Sequence, residues 1–131
     1  MTGASAQGPA RHTISQIARI AGVSVSRVRT WCVMGLVRPR AVTAAGYHLF
    51  DDADVERLRF IAVAMGAGLP LPDVARVLTA FDRGDAERME QARGALRRRI
   101  KERRRALNEF AALLKRLGAA DTVAPVKGAS S

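Results

Sequence analysis

Residues 23–31 of the chain read Val23-Ser24-Val25-Ser26-Arg27-Val28-Arg29-Thr30-Trp31. Ser24 is predicted to be a helix N-cap, because its hydroxyl can accept a hydrogen bond from an unpaired amide of the first turn. Val23 and Val28 stand at the positions of a hydrophobic staple, which sets the angle at which the chain enters the helix. Gly35 suits the position just past the helix end. The stretch therefore predicts a short helix that begins after Ser24.

This helix is predicted to have one apolar face and one polar face. Helical spacing turns Val25, Val28 and Cys32 inward. The side chains turned outward or sideways are Ser26, Arg27, Arg29 and Thr30. A short helix with guanidinium and hydroxyl groups on one face is suited to a DNA major groove. A solvated surface helix fits the same residues equally well, so the neighbouring segments decide between the two.

A second short helix is predicted immediately before it. Thr13-Ile14-Ser15-Gln16 has the spacing of a capping box, in which Gln16 reaches back toward the cap. The apolar face of this helix is Ile14, Ile17, Ala18 and Ala21, and Gly22 ends it. Two short helices joined by about three residues including a glycine form a helix-turn-helix. An αα-hairpin of a helix bundle has a similar pattern and is the alternative.

A small β-hairpin is predicted after the helix-turn-helix. Alternating apolar residues in Leu36-Val37-Arg38-Pro39-Arg40 and Tyr47-His48-Leu49-Phe50 flank a glycine-containing loop over residues 41–46. A hairpin at this place is a wing, and its side chains that could reach phosphates are Arg38, Arg40, Tyr47 and His48. We do not favour His48 as a metal ligand, because no second His, Cys or carboxylate stands at ligand spacing.

Two further helices are predicted to complete the domain. Asp51 caps the first of them, with Asp52 and Asp54 in its first turn complementing the helix dipole. Its expected core face is Val55, Leu58, Ile61, Ala62 and Met65. The next helix is expected over residues 71–81, with a buried stripe of Leu71, Val74, Val77, Leu78 and Phe81. The aspartates here are interpreted as helix-start residues rather than catalytic carboxylates.

The last predicted helix runs from an Asp85 cap to Leu117, and at about 30 residues it is about 45 Å long. At spacings of three and four it has a heptad seam that is interrupted once, by Arg103, and consists of Met89, Ala92, Leu96, Ile100, Arg103, Leu107, Phe110, Leu114 and Leu117. Four short helices cannot cover such a stripe, so we favour self-association as a two-helix coiled coil over folding back. The basic run over residues 97–105 is compatible with nucleic-acid contact, although we favour a solvated helix face.

Composition narrows the class of partner. The 131 residues include 22 Lys+Arg against 12 Asp+Glu, for a net charge of +10 and a pI of about 11.4. This excess favours a polyanion, nucleic acid first and an anionic membrane surface second. No apolar run approaches the roughly 20 residues of a membrane span, and residues 1–11 do not have the pattern of a secretory signal. We therefore expect a cytoplasmic protein.

The single cysteine, Cys32, excludes an internal disulfide framework and a cysteine-rich zinc site. Redox sensing through Cys32 is a possibility, but its predicted place on the inner side of a helix favours a small apolar filler. No nucleophile–base pair, metal cluster or glycine-rich phosphate loop is present in the sequence, so we expect no enzymatic activity and no cofactor.

The order of these elements resembles the MerR family of bacterial transcription regulators. The motifs that carry the resemblance are Thr13-Ile14-Ser15-Gln16-Ile17-Ala18, Gly22-Val23-Ser24, Val28-Arg29, Gly35-Leu36, Gly46-Tyr47, Asp51-Asp52-Ala53-Asp54-Val55, Arg57-Leu58 and Ala67-Gly68-Leu69-Pro70-Leu71. They cover residues 12 to about 81, and the last helix resembles the family's dimerisation helix by pattern.

The resemblance implies a mainly α fold: a winged helix-turn-helix DNA-binding domain, a helix pair and a C-terminal antiparallel coiled-coil dimerisation helix. It also implies a homodimer that binds a palindromic promoter operator and distorts the DNA so that RNA polymerase can engage it. The expected segments are a disordered tail over 1–11, the winged domain over 12–81, the dimerisation helix over 82–117 and a flexible tail over 118–131.

Candidate site residues follow from the pattern and the resemblance together. At the DNA interface we expect Thr13, Ser24, Ser26, Arg27, Arg29, Thr30, Trp31, Arg38, Arg40, Tyr47 and His48. At the dimer interface we expect Met89, Leu96, Ile100, Leu107, Phe110, Leu114 and Leu117. Arg29 matches the family arginine of the recognition helix, and Tyr47 and His48 fall in the wing motif, where an arginine is usual at position 48.

The chain departs from the family pattern in three places. Thr30-Trp31-Cys32 replaces the usual aromatic pair and acid, and Pro70 occupies the usual Ser/Thr cap of the fourth helix. Residues 82–131 contain none of the cysteines that metal sensors of the family carry, so metal sensing is not expected. The alternative function is a protein-interaction module that docks RNA polymerase or another regulator through the long helix. The operator, the effector and the sign of regulation are not predicted.

Overall fold

A computed structural model describes residues 11–123, with side chains described to residue 119. The elements are β1 (His12–Thr13), α1 (Ile14–Ala21), α2 (Val25–Val33), β2 (Ala41–Val42), β3 (His48–Phe50), α3 (Asp52–Gly66), α4 (Leu71–Arg83) and α5 (Ala86–Val123). A mainly α fold with one small antiparallel sheet confirms the predicted fold class. No helix within the described range is long and apolar enough to cross a bilayer.

The predicted helix starts are confirmed by their hydrogen bonds. Thr13 Oγ1 accepts from the Gln16 amide at 3.2 Å, and Gln16 Oε1 accepts from the Thr13 amide at 2.8 Å, which completes the capping box. Ser24 Oγ accepts from the Arg27 amide at 3.1 Å. Gly22 ends α1 in the left-handed region at φ 75°, where a side chain would be strained. Residues 22–24 therefore form the tight turn of the helix-turn-helix.

The sheet differs from the predicted hairpin in its strands. Its order is β1-β3-β2, with His12 opposite Phe50 and Ala41 opposite Leu49. The first strand of the hairpin is Ala41–Val42, where the sequence predicted loop, and the predicted strand over residues 36–40 is wrong. Leu36 and Val37 are buried in the core instead, so their apolar character reflects packing and not strand alternation.

The core of the unit up to Ala92 lies where α1, α2, β3, α3 and α4 meet. Its apolar residues are Ile17, Ala18, Val28, Trp31, Leu36, Val37, Phe50, Val55, Leu58, Ile61, Ala64, Val74, Leu78, Ala80 and Ala92. Two expectations for this core are wrong. Ala64 is buried, whereas Ala62 and Met65 are only half-buried. In the predicted stripe of α4, Val74 and Leu78 are buried, Leu71 and Val77 are only half-buried, and Phe81 is 67% exposed. Phe81 lies on the same side of the helix as Val74, seven residues earlier, but it stands in the last turn of α4, which the core does not cover there.

Helix α5 begins as predicted and ends later than predicted. Asp85 Oδ1 accepts from the Arg88 amide at 3.0 Å, which confirms the cap. The helix continues past Leu117 to Val123, so the predicted helix end at Leu117 is wrong, and residues 124–131 of the predicted tail lie outside the described range. From Arg93 onward the helix forms a unit of its own.

At the N-terminal end of the chain, residues 1–10 of the predicted tail lie outside the described range. The Arg11 amide donates to Phe50 O at 3.0 Å and so joins the sheet.

Candidate nucleic-acid interface

Helix α2 has the two faces that the sequence predicts. Val28 is fully buried and anchors the helix in the core. The polar side chains on the opposite side, all of them exposed, are Ser26, Arg27, Arg29 and Thr30. Within the part of the chain that the structure describes, the guanidinium groups of Arg27 and Arg29 make no hydrogen bond or ion pair with other residues. Their guanidinium groups are therefore available to an anionic or base-edge acceptor.

Trp31 does not belong to this surface. Its side chain is 4% exposed and lies on the same side of α2 as Val28, three residues earlier. An indole enclosed in the core cannot also touch DNA. The assignment of Trp31 to the interface is therefore corrected: it is a core residue.

Two apolar side chains on α2 and at its end were missed by the sequence analysis. Val33 is 87% exposed and Met34 is 51% exposed. Together with Val25, Ser26, Arg29 and Thr30 they line a shallow depression of about 650 Å³. Val33 follows Arg29 by four residues, so helical spacing alone places it on the Arg29 side of the helix. An apolar side chain there can contact the methyl group of thymine.

The hydroxyl groups of the candidate interface already make hydrogen bonds within the protein. Thr13 and Ser24 accept cap hydrogen bonds through their oxygens, which leaves each O–H free to donate. Thr30 Oγ1 donates to the carbonyl oxygen of Ser26 at 3.1 Å, so its proton is already used. Thr13 and Ser24 therefore can act as donors to phosphate, and Thr30 can act only as an acceptor.

The wing consists of β2, β3 and the turn between them, residues 41–50. The turn is closed by hydrogen bonds from the Gly46 amide to Thr43 O at 2.8 Å and from the Thr43 amide to Tyr47 O at 2.8 Å. Gly46 has a φ of 92°, which favours glycine at this point of the turn. Tyr47 is 68% exposed, and His48 beside it is also exposed. Both side chains are placed where an external partner can reach them.

Arg38 and Arg40 precede the wing and differ in what they contact. Arg38 is exposed and makes no intramolecular ion pair within the described residues. Arg40 instead donates from Nε to Asp54 Oδ2 and from Nη2 to Asp54 Oδ1, each at 3.2 Å. The Asp54 carboxylate is 0% exposed, whereas the Arg40 side chain remains 51% exposed and its Nε also lies 3.5 Å from Asp51 Oδ2. Arg40 therefore differs from Arg38 in having intramolecular partners, and its place in the DNA interface stays a prediction.

Electrostatics at this ion pair reflect its burial. Removal from water raises the pKa of the Asp54 carboxyl, while the Asp51 amide and the Arg40 guanidinium oppose the increase. The hydrogen bonds to Asp54 raise the pKa of Arg40. From its sequence position, Asp54 was predicted only to be an acid in the first turn of α3. Arg40 lies 14 positions before Asp54, so a short stretch of sequence gives no sign that the two side chains are hydrogen-bonded.

Cys32 is half-buried on α2, and burial raises the pKa of its thiol above the usual value. A raised pKa keeps sulfur in the weakly nucleophilic protonated form near neutral pH. This favours the interpretation of Cys32 as a filler over that of a redox sensor. Among the described residues, no three His, Cys, Asp or Glu side chains are grouped so that they could hold a metal ion.

The predicted dimer seam forms a stripe along α5. Its members are least exposed near the start of the helix, where Met89 and Leu96 are half-buried. Further on, the exposed fractions are 37% for Ile100, 59% for Leu107, 60% for Phe110, 57% for Leu114 and 63% for Leu117. Leu113, which the sequence analysis did not include, is 49% exposed at the edge of the stripe. The second unit thus presents an apolar face that is continuous from Leu107 to Leu117 and is interrupted by Arg103 between Ile100 and Leu107.

Known proteins share this architecture. The family model described as MerR HTH family regulatory protein matches residues 12–80. The chain is 43% identical over 96 residues to the HTH-type transcriptional regulator MerD of Acinetobacter calcoaceticus, covering 73% of this chain and 79% of that protein. It is 39% identical over 120 residues to the MerD regulator of Serratia marcescens, covering 92% and 96% of the two chains.

A solved structure has the same fold. HiNmlR, a MerR family regulator lacking the sensor domain and crystallised on promoter DNA, superimposes with a TM-score of 0.63 at 23% identity. The match covers 86% of this chain and 94% of HiNmlR. The structure has the capped helix-turn-helix, the wing and the long terminal helix, and the residues matched in relatives extend over most of the chain. The protein is a member of the MerR family of DNA-binding transcriptional regulators.

Proposed function

We propose that this protein is a sequence-specific, non-enzymatic transcription regulator that binds a palindromic promoter operator as a homodimer. The observation that carries the proposal is the outer face of α2. The guanidinium groups of Arg27 and Arg29 are exposed there and make no hydrogen bond or ion pair within the described range, while Val28 between them is fully buried. A rigidly anchored helix with two available guanidinium groups has the size and chemistry that a major groove accepts.

The wing supplies the expected backbone contacts. Arg38, Tyr47 and His48 are exposed, and phosphate contacts of this kind position a protein on the duplex without specifying sequence. The net charge of +10 adds a general attraction to polyanions. HiNmlR, which shares the fold, was crystallised on promoter DNA, and this supports promoter DNA as the partner here.

Homodimerisation is supported by the apolar stripe on α5. Leu107, Phe110, Leu114 and Leu117 are each at least 57% exposed in one protomer. A second copy of the same stripe would remove these side chains from water. Distortion of the promoter and engagement of RNA polymerase follow from the family resemblance alone. We include both in the proposal, because two recognition helices related by a two-fold axis would hold the promoter in its distorted form.

The salt dependence of binding separates this function from the protein-interaction alternative. If cationic side chains neutralise phosphates, the affinity for a mixed-sequence 30-base-pair duplex falls steeply and linearly in log–log form as salt rises. Fluorescence anisotropy between about 50 and 200 mM salt measures this slope. Absence of duplex binding, together with salt-indifferent binding to purified RNA polymerase, would instead support a docking module.

Arg29→Ala is expected to weaken operator binding by about 1–3 kcal/mol, the range of a good bidentate contact to a base. Arg83→Ala is the matched control, because it removes the same charge from an exposed position on α4. Anisotropy titrations on a duplex recovered by in vitro selection measure both. An Arg29→Ala protein that is folded and binds like the wild type would remove Arg29 from the interface.

Tyr47→Ala and His48→Ala are expected to weaken binding to operator and to mixed-sequence duplex by similar factors. The reason is that contacts to the phosphate backbone carry no sequence information. The ratio of the two dissociation constants should therefore stay close to that of the wild type. A loss confined to the operator would show that the wing reads bases.

A further inference from the structure

A fully buried carboxylate joins the base of the wing to the start of α3. Asp54 Oδ2 accepts from the Asp51 amide at 3.1 Å and from Arg40 Nε at 3.2 Å. Asp54 Oδ1 accepts from Arg40 Nη2 at 3.2 Å. Asp51 Oδ1 in turn accepts from the Asp54 amide at 2.9 Å, so the two acids cap α3 reciprocally. The guanidinium is thus bound to the residue that completes the capping box of α3.

Arg40 is also part of the sheet through its backbone. Its amide donates to Leu49 O at 2.8 Å, directly before the pairing of Ala41 with Leu49. One residue therefore holds β3 through its main chain and α3 through its side chain. Beyond it, residues 44–48 of the wing are exposed, and the hydrogen bonds found there lie within the wing itself. The direction of the wing is consequently set at its base.

We propose that Arg40 and Asp54 are positioning residues for DNA binding, which hold the wing where Tyr47 and His48 meet the phosphate backbone. Neither residue touches DNA. This inference rests on the proposed function and adds to it a pair whose contribution comes through the wing. Removing Arg40 leaves the buried Asp54 carboxylate without its cation. Asp54→Asn instead removes the charge-assisted pair of hydrogen bonds that holds the half-exposed guanidinium, which then keeps only the more distant Asp51 carboxylate at 3.5 Å. Either substitution therefore loosens the wing base. A loosened wing must be ordered again on binding, which lowers affinity.

Asp54→Asn provides a test in which two explanations predict opposite signs. The substitution removes one negative charge, and general electrostatics alone would therefore tighten DNA binding. Positioning predicts instead that the affinity for the mixed-sequence duplex falls by about tenfold. Glu56→Gln, an exposed position two residues later on α3, is the control that removes the same charge without affecting the pair. It is expected to bind at least as tightly as the wild type.

Arg40 variants distinguish positioning from a phosphate contact. Loss of one phosphate contact reduces the log–log salt slope by about 0.9. We expect that reduction for Arg38→Gln and not for Arg40→Gln, although both bind more weakly. Arg40→Lys keeps a cation beside the buried carboxylate, but an ammonium group cannot make the two-pronged contact of a guanidinium. It serves as the test variant if Arg40→Gln does not fold. We expect weaker binding with an unchanged slope for Arg40→Lys also.

Hydrogen exchange in the free protein provides a readout that does not involve DNA. The amides of Thr43 and Gly46, which are bonded within the wing turn, should exchange faster in Asp54→Asn and Arg40→Lys. The Met34 amide, bonded to Thr30 O at the end of α2, should exchange as in the wild type. Equal acceleration at both places would indicate global destabilisation and would contradict a local positioning role.

Three results of the binding experiments would also overturn the inference. A salt slope reduced by about 0.9 in Arg40→Gln would make Arg40 a direct phosphate ligand. Unchanged duplex affinity in Asp54→Asn, with normal binding by the wild type, would refute positioning while leaving the proposed function intact. A wild-type protein that binds no duplex at all would overturn both.

Discussion

Leu107→Glu combined with Leu114→Glu is expected to convert a dimer into monomers that bind the operator poorly. The two leucines are seven residues apart, so they lie on the same side of α5, and they are 59% and 57% exposed in a single protomer. If a second copy covers them, each glutamate would be desolvated without a partner, which a two-helix seam does not tolerate. Loss of the second half-site then removes the avidity of two linked recognition helices.

The matched control places the same charges elsewhere on the helix. Asn108 and Ala112 are exposed and lie away from the stripe at 100° per residue, so Asn108→Glu combined with Ala112→Glu should remain dimeric. Light scattering measures the mass of each protein, and circular dichroism shows whether the winged unit is folded. A monomeric wild type, or a leucine double variant that stays dimeric, would mean that the interface lies elsewhere.

Trp31→Ala is expected to lower the free energy of unfolding by about 3–5 kcal/mol, the range observed when a buried large aromatic side chain is removed. Trp31 is 4% exposed and packs in the core beneath α2. Trp31→Phe keeps most of the apolar volume and should lose less stability. Urea denaturation followed by circular dichroism measures both variants.

DNA binding by Trp31→Phe tests the corrected assignment of this residue. Because the indole lies in the core, the folded variant should bind the selected operator with nearly the affinity of the wild type. Stability close to that of the wild type, combined with a large loss of operator affinity, would show that Trp31 contacts DNA after all.

Local features of the fold were predictable because their signals lie within a few residues. The caps at Thr13, Ser24 and Asp85 each depend on a side chain and an amide three positions later. The strand His12–Thr13 was not predicted, since two residues cannot show an alternating pattern and its partner Phe50 lies far along the chain. Local chemistry therefore predicted the helix-turn-helix but not the full sheet.

The sequence predicted which side chains of the candidate interface are exposed, but not which of them form ion pairs within the protein. Ser26, Arg27 and Arg29 follow from helical spacing and are exposed as expected. Arg40 was assigned to DNA because an arginine near a wing is compatible with phosphate contact. Its intramolecular partner, Asp54, is brought to it by the packing of the wing base on α3. The sequence shows both charged residues, but the distance between their side chains depends on how the chain folds.

In vitro selection from a library of randomised duplexes tests the central claim most directly. The full-length protein is incubated with the library at about 150 mM salt, and the bound duplexes are amplified over successive rounds and sequenced. A dimer that presents α2 twice about a two-fold axis predicts enrichment of an inverted repeat, and the Arg29→Ala protein should fail to enrich it. Duplexes that show no enriched sequence, or a single asymmetric site bound by a monomer, would contradict the account.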